Sequence, residues 1–418
     1  MGDIHTGAIF IRGARQLLTL RGPRFPRYGA DLNELSIIYD GALLIRDGAV
    51  EEVGPTRRVE NLAAARGAVE ISAAGRVVMP GFVDSHTHLA FPMAPDGDSL
   101  EAAAAAVRTV SSKRLAGRSR VHLESMARHG TTTIEAKTGC GSDERVETKL
   151  LRVLKSFARG PVDVIPTFLF RLAEPGEGGD AAVHGAANRV ISEFLPKLRR
   201  RRLIEFADFR WDPAPHWQPV FARYLHASEQ LELRRKMHAE RFDAAALEPL
   251  GGTYPLVSLD HLEEATAEDA AAIRRCGAVA TLSPTASLHG GKNYAPARAL
   301  IDAGVPVALA SNFDPLHTPT LNMQTVVALA CMHMRMTAAE AINAAIINGA
   351  YAAGCADRVG SLEHGKSADL VILNVSDYRE LANHFGMNLV HLTMKRGEFI
   401  YQEGDVAPVP AEDLRLAW

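Results

Sequence analysis

Cysteine is scarce in this chain. Four residues, Cys140, Cys276, Cys331 and Cys355, are spread through 418 positions without a CxxC pair, which excludes a disulfide framework. An excess of one charge is also missing. With 46 basic and 49 acidic residues the formal net charge is −3, so no positive field exists to hold nucleic-acid phosphates, and nucleic-acid binding is not expected. Long apolar runs are lacking as well: the alanine-rich stretch 102–107 is closed by Glu101 and Arg108, far short of the about 20 residues a membrane span needs. No membrane partner is expected. The first residues show no basic start before an apolar run, as a signal peptide would, and the cytoplasm is the expected location.

What is present is ordinary globular material, 47% apolar and 23% charged, enough for a large core in two or three compact units. Residues 8–78 carry short β-like runs, Ala8 to Ile11, Ser36 to Ile45 and Ala49 to Val53, punctuated by Asp47-Gly48 and Gly54-Pro55. After Met79-Pro80-Gly81 the pattern becomes apolar strands alternating with amphipathic helical stretches over about 280 residues, the usual size of a (β/α)8 barrel. Beyond Val359 it turns β-like again. The expected fold is therefore an α/β, TIM-like (β/α)8 barrel at 80–359. A small β-sandwich domain is composed of 1–79 with 360–418, neither end segment having a convincing core of its own.

The strongest local feature is Val83-Asp84-Ser85-His86-Thr87-His88. Residues i and i+2 of a strand face the same side, so His86 and His88 can present two imidazoles to one ion at a strand's C-terminal end. HxH alone is a weak signal, but His238 after Leu233 to Met237 and His261 after Leu256 to Asp260 end β-like runs in the same way. Four histidines from three strand ends converge on a barrel mouth, the arrangement of a catalytic metal with an open position.

These blocks, with Gly130-Thr131-Thr132-Thr133-Ile134-Glu135-Ala136-Lys137-Thr138-Gly139, the stretch Ser311 to Gln324 and Gly365 to Ile372, resemble the amidohydrolase superfamily, and within it the imidazolonepropionase branch, nearly end to end. The resemblance implies a metal held by His86, His88 and His238, with His261 polarising the substrate carbonyl and an aspartate at the end of the last barrel strand serving as ligand and base. Here the chain reads Ser311-Asn312-Phe313-Asp314-Pro315, so Asn312 stands in the acid's place, and an amide has no usable basicity near neutral pH. Three readings stay open: Asp314 takes over as base, another group such as His317 or a substrate carboxylate does so, or hydrolysis is lost.

Other departures fall where the substrate would sit. The arginine expected soon after HxH, the tyrosine of the glycine block and the histidine after Thr-Phe-Leu are absent, Cys140 and Phe170-Arg171-Leu172 standing in the latter two regions, which points to an altered substrate. Arg241 replaces the acid three residues after His238 and, with Cys140, Tyr294 and His317, is an expected substrate contact. Cys140 reads as pocket lining, not as a nucleophile, and Lys137 as a residue bonding loop carbonyls.

The expected function is metal-dependent hydrolysis of a C–N bond in a small cyclic amide or amidine, with zinc, or iron as the alternative, at one ion per chain. Catalysis is assigned to His261, Asp314 and Asn312, with Asn312 also completing the metal set. The alternatives are a heterocycle deaminase, disfavoured because Arg241 breaks the His-x-x-Glu pattern of such enzymes, and a degenerate barrel that binds a ligand without turnover. The partner is a small molecule; a homodimer stays open.

Overall fold

The computed structural model describes residues 7–91, 100–140, 143–158, 160–172 and 179–404. Residues 1–6 and 405–418, which the expected composite domain includes, lie outside them. Near the N-terminus five strands form, β1 (Ile9–Leu18), β2 (Ile37–Arg46), β3 (Ala49–Pro55), β4 (Val69–Ser72) and β5 (Val77–Pro80). Eight more follow: β6 (Phe82–Thr87), β7 (Thr131–Lys137), β8 (Asp163–Phe170), β9 (Phe206–Arg210), β10 (Arg234–Ala239), β11 (Ser258–His261), β12 (Val279–Leu282) and β13 (Val307–Leu309). The C-terminal part adds β14 (Leu370–Leu373), β15 (Val390–Lys395) and β16 (Glu398–Gln402).

Strands β6 to β13 form one 8-stranded sheet in sequence order. Neighbours are parallel throughout, and a parallel bridge from Thr87 to Phe313 joins its two ends. This is the expected barrel, its helices outside because parallel neighbours need crossover connections. Both ends of the chain build the second sheet, in the order β16-β15-β14-β5-β1-β2-β3 with β4 added on β1. The join is antiparallel, Leu370 lying opposite Pro80 and Leu373 opposite Val77. The Asp47-Gly48 turn between β2 and β3 has φ of 51° and 77°, and a Cβ on Gly48 would come within 2.8 Å of the Arg396 carbonyl oxygen, so glycine is required there by both conformation and space.

Alternation along the barrel strands separates two environments. Phe168, Phe170, Phe209, Met237 and Leu259 face outward into the apolar cluster shared with the helices. The alternate residues Glu135, Lys137, Asp208, Lys236 and Asp260 face inward and are fully buried. An interior filled with charge is costly unless every charge is paired, and these are. Lys137 Nζ lies 2.6 Å from Asp208, 2.8 Å from Asp260 and 3.2 Å from Glu135, while Lys236 bonds the other oxygen of Glu135. Among the described residues no helix is long and apolar enough to cross a membrane.

Candidate metal centre

The mouth of the barrel is built directly on that buried network. His86, on β6, donates its Nδ1 hydrogen to Asp260 Oδ2 at 2.8 Å, and Asp260 is itself held by Lys137 and by Ser258 Oγ at 2.6 Å. Burial opposes the ionised form of Asp260, but Lys137 and Lys236 outweigh it and keep the carboxyl well below its usual range. Asp260 therefore fixes the tautomer of His86 and leaves Nε2 as the free lone pair.

The rings converge. Centroids of His86 and His238 are 4.8 Å apart, those of His238 and His261 4.3 Å, and those of His86 and His88 5.4 Å. One nitrogen from each of His86, His88 and His238 falls within 4.8 Å of the others, and His238, Glu240 and His261 form a second, overlapping group. Burial holds His86, His88 and His238 well below the ordinary histidine value, with Lys137 reinforcing it at His86 and Arg171 at His88. They are neutral at neutral pH, the form a metal requires.

Whether these residues fit an ion is decided by what is left unbonded. His86 Nε2, His88 Nδ1, His238 Nδ1, His261 Nε2 and Asn312 Oδ1 are all buried without a hydrogen-bond partner. Orphaned polar atoms are rare in folded proteins, and those of His86, His88, His238 and Asn312 are lone pairs that an ion could take. The donor set suits a zinc-type ion.

His261 reaches the group by a backbone device. Asp260 faces inward, so regular alternation would turn His261 outward; instead its φ is 82° and that of Leu262 is 66°, a conformation that costs on the order of 1–3 kcal/mol. Its Nδ1 lies 2.9 Å from Glu263. Burial works against a charge on His261, but Glu263, Glu240 and Asp260 raise its pKa above the ordinary value. Asn312 also adopts φ of 49°, just before Phe313, whose carbonyl accepts the His88 backbone hydrogen at 2.7 Å.

The chain is 36% identical over 409 residues to the imidazolonepropionase of Parabacteroides distasonis, covering 93% of this chain and 98% of that one. It is 35% identical to the imidazolonepropionase of Geobacillus thermodenitrificans, at 95% and 99% coverage. Residues 96–401 match the model of the amidohydrolase family. The chain belongs to the amidohydrolase family, on its imidazolonepropionase-like branch. Among solved amidohydrolase-type structures it resembles a zinc-bound adenosine deaminase from Xanthomonas campestris, with TM-score 0.70, 19% identity and coverage of 97% and 96%. A triazine hydrolase variant matches with TM-score 0.72, 16% identity and 98% coverage of both chains. These likenesses show the fold, and the fold is that of an amidohydrolase barrel.

Asp314 is nearly buried, its Oδ1 accepting from the backbone of Leu316 at 2.8 Å and of His317 at 3.0 Å, with His317 Nδ1 at 3.3 Å. Cys140 is buried in an apolar cluster, its thiol pushed well above the usual range chiefly by burial. Tyr294 stacks on His333 with centroids 4.9 Å apart. Arg241 is a correction: its side chain is 64% exposed and turned toward Asp212 at 3.9 Å, because β10 ends at Ala239 and the chain has left the barrel by that point. Lys137 is another, since it bonds buried carboxylates and not loop carbonyls. Sequence reasoning also passed over Asp260, Glu263 and Arg171. The first two stand directly beside or near a histidine already singled out, a signal that was available.

Proposed function

We propose that this amidohydrolase cleaves a C–N bond of a small cyclic amide by hydrolysis, using one zinc ion, with iron as the alternative, held by His86, His88 and His238 with Asn312 Oδ1 completing the set. The observation that carries this is the convergence of the unbonded nitrogens of His86, His88 and His238 at the barrel mouth. When bound, such an ion supplies Lewis acidity toward a carbonyl and activates water at neutral pH.

The chain's own residues do the rest. His261, oriented through Nδ1 by Glu263 and favoured in its charged form, offers its Nε2 hydrogen to the carbonyl oxygen of the ring and stabilises the negative charge that develops there. Asn312 ligates without accepting a proton. Asp314, on the same turn and next to the backbone of the HxH strand, is the base that accepts the proton from attacking water and returns it to the leaving nitrogen. Its Oδ1 is committed to the turn, so Oδ2 is the oxygen that works. The Asp260–Lys137 pair holds His86 in register throughout.

The relatives named imidazolonepropionase support a five-membered ring as substrate. Absence of the usual arginine, tyrosine and histidine contacts supports a substituent different from theirs. The test is a screen of imidazolones, hydantoins, dihydropyrimidines and lactams against zinc-loaded protein, read as ring opening. Zinc-dependent opening of one class is expected; ammonia release from purines or pyrimidines instead would establish a deaminase.

A further inference from the structure

The helix Glu144–Lys155 follows β7, and the helix Leu195–Arg200 closes the crossover that follows β8. On the first, Arg145, Lys149 and Arg152 fall at i, i+4 and i+7, the spacing of a single helix face. On the second, Lys197 and the C-cap residue Arg201 are four apart and share a side. The two faces meet over a groove of about 530 Å³ that all five cations line, together with the buried Phe194 and Leu198.

Acids do not balance these cations. Lys197 takes two carboxylates, Glu144 at 3.1 Å and Glu193 at 3.8 Å. Lys149 donates to the carbonyls of Val107 at 2.6 Å and Arg108 at 3.4 Å and to that of Val110, none of which neutralises its charge. Arg145, Arg152 and Arg201 have no side-chain hydrogen bond or carboxylate partner among the described residues. The other acids at the start of the first helix are already engaged: Asp143 receives Arg108 at 3.0 Å, and Glu147 is buried and accepts from the Cys140 amide at 2.6 Å. Like charges gathered on helix faces are destabilising, and the chain as a whole carries −3, so the concentration is local and not part of a general excess. Arg199, from the same run of four arginines, shows the ordinary outcome, since it turns away to bond the Leu231 carbonyl at 2.8 Å and Glu232 at 3.4 Å.

We propose that this groove binds a small molecule that carries two phosphate groups. Its volume is that of a small-molecule site, about 300–1,000 Å³, and free guanidinium groups offer the parallel N–H pairs that phosphate oxygens accept. Arg145 and Arg152 stand about 10 Å apart along the helix axis, so a single phosphate engages one end of the stripe and two linked phosphates engage both. The hydroxyls of Ser112 and Thr148, also in the lining, add uncharged donors. The groove lies on the outer wall of the barrel, between helices, and its occupancy does not depend on the metal at the mouth.

The test is calorimetric titration of the full chain, at about 0.15 M salt, with fructose 1,6-bisphosphate and with its one-phosphate counterpart, fructose 6-phosphate. The bisphosphate is expected to bind about 10- to 100-fold more tightly, the worth of an added charge-assisted contact. Arg145→Gln/Arg201→Gln removes one free guanidinium from each helix and is expected to weaken bisphosphate binding by about 10-fold or more. Both side chains are exposed, so the circular dichroism should not change. Arg200→Gln/Arg202→Gln removes the same charge from outside the groove and is expected to bind as the parent does, because charges beyond about 8 Å are screened at that salt. No binding of the bisphosphate by the parent, equal binding of the two probes, binding unchanged in Arg145→Gln/Arg201→Gln, or an equal loss in Arg200→Gln/Arg202→Gln overturns the proposal.

Discussion

Replacing Lys137 by methionine would keep most of the side-chain volume and remove one positive charge from the centre of the barrel. Two lysines, Lys137 and Lys236, face three carboxylates there, Glu135, Asp208 and Asp260, all with no solvent exposure. Lys236 bonds Glu135, so Lys137→Met leaves Asp208 without its cation and Asp260 with only the more distant charge of Lys236. Breaking a buried pair from one side typically costs about 3–5 kcal/mol. The cost depends on pH in a definite direction. Asp208 already stands at about 6, with burial as the main cause and Lys137 opposing it, and it rises further when the lysine goes, while Asp260 loses part of what holds it below its usual range. A carboxyl whose folded pKa exceeds its unfolded value of about 4 binds more protons in the folded state, so stability falls as pH rises between those values. Urea unfolding followed by far-UV circular dichroism should therefore show a lower midpoint for the variant at pH 5.5 and a larger deficit at pH 8. Midpoints equal to the parent's at both pH values, or a deficit that shrinks as pH rises, would refute the reasoning.

Three further outcomes are expected. Asp314→Asn should lower the ring-opening rate about 10²- to 10⁴-fold, the usual worth of an acid–base group, with metal content unchanged; turnover at the parent rate would move the base elsewhere, with His317 next to examine. Asn312→Asp should tighten metal binding, measured by competition with a chelator, because it places a carboxylate where Oδ1 of the amide now stands unbonded; weaker binding would remove Asn312 from the ligand set. Deleting residues 368–418 takes away β14 to β16 and bares the edge of β5, whose Val77 to Pro80 pair with Leu373 to Leu370, so aggregation in light scattering is expected. A monodisperse truncated protein would contradict that.

Much of the architecture is legible from periodicity alone. The two-residue spacing of His86 and His88, and the strand-end positions of His238 and His261, are local properties of single strands, and local properties survive folding. The pairing of the two chain ends into one sheet follows from each being too short to build a core. What stayed hidden depends on contacts between distant strands. Nothing near Lys137 in the chain announces Asp208 or Asp260, 71 and 123 residues away, because their meeting is set by barrel register. Arg241, expected at the site, lies beyond the end of β10 at Ala239, and strand ends are poorly marked when polar residues follow. His261 points inward only through a positive φ, which alternation would have placed on the other face.

The central claim is that His86, His88 and His238 hold one ion at the barrel mouth. It is tested most directly by titrating zinc into chelator-treated full-length protein and its His86→Ala and His238→Ala variants, with elemental analysis of each. The account predicts about one zinc per chain in the parent and loss of that zinc in both variants with the circular dichroism of the barrel retained, since ligands at a barrel mouth are not core. Stoichiometric zinc kept by both variants, or none bound by the parent, would contradict it.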